Sequence, residues 1–158
     1  MSKPPDFDLQ VAHRWFAVEC FNRTWDLIDK SDRTPEEDEE MVRLTHASHW
    51  HWTQREDCTP KNEAIACWQI SRVYALLGRA EEARRYGQLA LKASQSEGVA
   101  PFYLGYAYEA LARAESLSGN RAEAEKYLEA ARQAANKVTA AEDRRLLLTD
   151  LETIGKKK

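Results

Sequence analysis

Glycine and proline are scarce, 6 and 5 among 158 residues, too few turn-formers for a fold of many short strands. The three cysteines, Cys20, Cys58 and Cys67, are odd in number and contain no CxxC pair. That excludes a disulfide framework or a zinc knuckle. No stretch approaches the roughly 18 apolar residues of a membrane span, and MSKPPDFDLQ lacks the apolar run of a signal peptide. An excess of one charge is missing as well: 23 basic residues stand against 26 acidic, a net charge of -3. Duplex binders carry a basic excess, and the one basic block, Lys156-Lys157-Lys158, reads as a solvated end. We therefore expect a cytoplasmic chain in a reducing compartment, with neither nucleic acid nor membrane as partner. The signatures GxSxG, GxGxxG, HExxH and the P-loop are absent. No catalytic residue, metal ligand or cofactor is assigned, and a non-catalytic role is expected.

What is present is helical periodicity. From Leu9 to Ile28 apolar residues fall on nearly every side, Trp15, Phe16 and Trp25 among them, which predicts a helix docked on several sides, part of it against a partner or a second copy. Thr34-Pro35 with Glu37 is a capping box opening a helix to about Gln54. Thr59-Pro60 opens the next helix, through Leu77, with Gly78 as its left-handed stop. Arg79 to Gln95 follows, its inward face made of Ala83, Gly87 and Ala90, where Gly87 implies a close helix approach. Pro101 starts a helix over Phe102 to Ser118, stopped by Gly119. Asn120 with Glu123, and Thr139 with Glu142, read as two further capping boxes. The sum is all-α, about seven helices, in one domain over 1–158. Its parts are a first hairpin at 7–55, hairpins at 60–97 and 101–138, and a closing helix at 140–154.

The two central hairpins are copies. Laying Gly78 on Gly119 aligns them without a gap and brings together Ile70 with Leu111, Arg72 with Arg113, Ala83 with Ala124 and Ala90 with Ala131. The frame resembles the tetratricopeptide repeat, in which small residues at such places let antiparallel helices pack closely and stack on the next pair. This chain's repeat exceeds the usual 34 residues by about seven, and its second copy has Glu115 where the first has Tyr74.

The resemblance implies a right-handed stack whose concave face is lined by the first helix of each hairpin. Carried over, that lining is Ile65, Trp68, Arg72 and Leu76, then Tyr106, Glu109, Arg113 and Leu117. Arg72 and Arg113 either hold an acidic partner or pair with Glu109 and Glu115. The Asn and Lys of the family's carboxylate clamp are absent. The expected role is a scaffold that binds a protein or peptide partner in this groove.

The alternative site is Thr45-His46-Ala47-Ser48-His49-Trp50-His51-Trp52. His46 and His49 share a helix face and His51 points roughly opposite. With Glu19, or with His13 as a third ligand, they suggest a metal- or small-ligand-binding sensor or enzyme.

Overall fold

Seven helices and no strand are found among residues 6–156, the residues that the structure, a computed structural model, describes. The terminal lysines at 157 and 158 and the first five residues of the chain lie outside that range. No described helix is long and apolar enough to cross a membrane. The chain divides into two compact units, residues 1–59 and 60–158, with the boundary between Thr59 and Pro60.

The first unit is one helical hairpin. Helix α1 (Leu9–Ile28) begins where the Asp8 carboxylate accepts hydrogen bonds from the amides of Gln10 and Val11. Helix α2 (Pro35–Thr53) begins with the expected capping box, the Thr34 hydroxyl on the Glu37 amide and the Glu37 carboxylate on the Thr34 amide. Arg33 fastens the turn, its guanidinium donating to the Leu27 and Lys30 carbonyls and to Asp38. At the open end Gln10 donates to the Gln54 carbonyl and accepts from the Glu56 amide. Ala17, Thr24, Met41, Leu44, Thr45 and Ser48 are buried. Ser48 donates its hydroxyl to the Ala17 carbonyl at 2.8 Å, and Thr24 donates to the Cys20 carbonyl, so each buried polar group has a partner.

The second unit holds α3 (Pro60–Leu76), α4 (Ala80–Ser94), α5 (Pro101–Leu117), α6 (Arg121–Asn136) and α7 (Ala141–Leu151). Helices α3/α4 and α5/α6 form hairpins, α5 packs on both α3 and α4, and α7 packs on α5 and α6. Both hairpin turns pass through a left-handed glycine, Gly78 at φ 72° and Gly119 at φ 78°, a conformation in which a Cβ is strained. The small faces do what their sizes imply. Ala83, Ala90, Ala124 and Ala131 are buried, and a Cβ on Gly87 would stand 3.0 Å from Leu111 Cδ2 and 3.4 Å from the Leu111 amide nitrogen.

Two caps differ from expectation. At α6 Asn120 makes no side-chain cap; its amide donates instead to Glu115 at 2.7 Å. That carboxylate also takes two bonds from Arg84, and a bond to a charged acceptor is stronger than the neutral bond a cap would make. At α7 the cap position is Ala140, one residue beyond Thr139, and no side chain caps the helix.

Candidate functional site

Helices α3 and α5 run side by side, and where their first halves meet the second unit opens a cleft of about 240 Å³. One wall is Ala64, Ile65 and Trp68 of α3, and the other is Phe102, Tyr103 and Tyr106 of α5. Leu146 of α7 closes an end, and Leu146 is 53% exposed. The rings are interlocked edge to face, Trp68 on Tyr106 at 4.9 Å and Phe102 on Tyr106 at 5.0 Å, a favoured geometry for aromatic quadrupoles. Lys61 sets its ammonium over the Tyr103 ring at 5.3 Å.

What holds the walls lies behind them. The indole N–H of Trp68 donates to Glu109 at 3.0 Å, and the Tyr106 hydroxyl donates to Asp150 at 2.7 Å. Burial, with that bond to Asp150, drives the Tyr106 phenol well above its ordinary value. Glu109 is 1% exposed and accepts from Arg72 at 3.1 Å and from Arg113 at 2.7 Å. Arg113 continues to the Thr153 hydroxyl and the Asp150 carbonyl. The Nε of Arg72 is buried without a hydrogen-bond partner. The polar ends of Trp68 and Tyr106 are thus bonded to acids outside the cleft lining, and the cleft presents mainly ring faces and aliphatic carbon.

Of the residues expected to line the groove, Ile65, Trp68 and Tyr106 do line the cleft. Arg72, Glu109 and Arg113 form the ion cluster behind it. Glu109 takes both arginines, while Glu115 goes to Arg84. Leu76 and Leu117, at the far ends of α3 and α5, are exposed and not part of the cleft. Ala64, Phe102, Tyr103 and Leu146 were missed. Phe102 and Tyr106 are a turn apart on α5, a spacing that signals a shared face, but nothing local indicates that α7 folds back to bring Leu146.

In the first unit, Glu19, His46, His49 and His51 do not gather as one ligand set among the described residues. His51 meets His13 instead: their Nδ1 atoms are 2.8 Å apart, and the His51 ring stacks on Phe16 at 5.2 Å. One of the two nitrogens donates and the other accepts, so the bond survives only while one ring is neutral there. Burial, then repulsion from His13, holds His51 below its ordinary value of 6.5. Its neutral form is favoured by folding, so this contribution is complete above about pH 6.5 and is lost as pH falls from there through the lower folded-state value. Thermal melting followed by tryptophan fluorescence should show the first unit weaker at about pH 5 than at about pH 7.5. His51→Gln should flatten that dependence; an unchanged slope in the variant would place its origin elsewhere.

Comparison with protein-family models, curated proteins and solved structures finds no match to this chain.

Proposed function

We propose that this chain is a non-catalytic protein-interaction module and that its second unit, read as a divergent tetratricopeptide-like stack, takes an apolar anchor side chain of a partner peptide into the cleft between α3 and α5. The observation that carries the reading is an aromatic cleft whose Trp68 and Tyr106 polar atoms are bonded to acids outside its lining. Its volume of about 240 Å³ falls below the roughly 300–1,000 Å³ of small-molecule sites and suits one large side chain. Rings already held in place lose little freedom on binding, which favours affinity. An acidic partner held by Arg72 and Arg113 fits less well, because both are already paired with the buried Glu109. Lys61 at the rim offers a cation for an acidic residue beside the anchor. Self-association through α1, expected from its apolar composition, belongs to the same reading.

A phage-displayed random peptide library panned on the full chain tests the cleft. The selected peptides should carry Trp, Phe or Leu as a shared anchor. They should lose about tenfold or more in affinity, about 1.4 kcal/mol, against Leu146→Glu, a substitution at an exposed position that leaves the helices intact by circular dichroism. Peptides without an apolar anchor, or with equal affinity for the variant, would refute the cleft as the binding surface.

A further inference from the structure

Helix α1 has a face turned to α2 and another that nothing in its own hairpin covers. The inner face carries His13, paired with His51, Ala17 under Ser48, and the buried Thr24. Roughly opposite run Val11, Trp15, Val18 and Asn22, spaced four, three and four, with Trp25 three residues on and edge-on to Phe21. Val11, Trp15 and Val18 are 64%, 59% and 43% exposed, and Asn22 is exposed as well. A run of large apolar side chains left in water marks an interaction surface. The alternating four-three spacing is that of a two-stranded helical seam, with Val11, Val18 and Trp25 at one core position and Trp15 and Asn22 at the other.

We infer that this face pairs in parallel with the same face of a second copy of the chain, deepening the self-association reading above. Three features choose that occupant. The stripe is straight and complementary to itself, as a two-fold contact requires. Asn22 sits at the core position where a single asparagine selects register and two-strandedness, each amide meeting its counterpart. Arg14 and Glu19 flank the seam on opposite sides, five residues apart. In a parallel pair that offset brings Arg14 of one copy beside Glu19 of the other, twice over by symmetry. An antiparallel pair would instead set the flank of Glu19 and Asp26 against itself.

Light scattering and sedimentation of the full chain across a broad concentration range should give a dimer. Val18→Asp should give a monomer with unchanged far-ultraviolet circular dichroism. Arg14→Glu should weaken the dimer about two- to fivefold, the scale of an exposed ion pair, and adding Glu19→Arg should restore it. Val11→Cys should form a disulfide-linked dimer under mild oxidation, absent from the wild-type control, since only parallel strands put the two copies of position 11 face to face. A dimer in which position 11 fails to cross-link would overturn the parallel seam while leaving self-association standing. A monomer at every concentration, or a dimer indifferent to Val18→Asp, would overturn the parallel seam and self-association through α1 alike. Neither result bears on the α3/α5 cleft.

Discussion

Replacing Glu109 with leucine is expected to cost about 3–5 kcal/mol of stability, the scale of removing one partner from a buried ion cluster. Glu109 is ion-paired with both Arg72 and Arg113, whose side chains are only 19% and 17% exposed. Without it two guanidinium groups face each other in a site that solvent scarcely reaches, and Arg72, already carrying an unpartnered Nε, loses its acceptor. The Trp68 indole loses its bond to Glu109 at the same stroke. Glu109→Gln should cost less, because the amide oxygen still accepts. Removing the charges together, Arg72→Met with Glu109→Leu and Arg113→Met, should cost less than the single leucine substitution, since the penalty comes from uncompensated charge rather than from a lost favourable bond. Urea unfolding followed by circular dichroism measures all three. A single-variant loss below about 1 kcal/mol would mean that the cluster is solvated like a surface pair.

The second large effect is expected at the docking of α7. Leu147 is fully buried and stands so close to Gly105 on α5 that a Cβ there would lie 2.4 Å from Leu147 Cδ2. Leu147→Ala should destabilise by about 2–5 kcal/mol through lost transfer energy and the cavity left behind. Gly105→Ala alone gains up to about 1 kcal/mol of helix propensity but drives a methyl into Leu147, so its net effect should be unfavourable. The two together should cost clearly less than the sum of the singles, because the new methyl occupies space the leucine vacates. A double-mutant cycle from denaturant melts decides it, and strict additivity would show that α5 and α7 do not meet as the Gly105–Leu147 contact requires. The cleft gives a second readout. Leu146 sits beside Leu147 in the chain, so an undocked α7 should weaken peptides anchored in the cleft in proportion.

Sequence reading succeeded where the determining interaction is local. Thr34, Pro35 and Glu37 lie within four residues and their capping box forms as expected. Gly78 and Gly119 mark hairpin turns because only a residue without a Cβ enters the left-handed region freely there. The register that joins the two hairpins places four alanines on buried faces, because small residues are needed wherever backbones approach. Local reading failed where a distant group competes. Asn120 looks like a cap but its amide goes to Glu115, whose carboxylate Arg84 also binds. The histidines show the same limit. Helical spacing groups His46 with His49, yet the ring that His51 meets is His13, thirty-eight positions away.

The candidate site divides along that line. The groove expectation for Ile65, Trp68 and Tyr106 came from the resemblance, whereas composition and periodicity by themselves determined that the chain is all-helical and roughly where its helices start and stop. These follow from backbone hydrogen bonding, caps and a 3.6-residue period, all set within a few turns. Only the tertiary structure decided that Glu109 would pair with both Arg72 and Arg113, that Tyr106 would bond to Asp150, and that α7 would lay Leu146 at the end of an apolar cleft. Those outcomes depend on which of several acids a buried guanidinium reaches and on where the last helix docks. Such choices between competing long-range partners are settled by the packing of the whole unit.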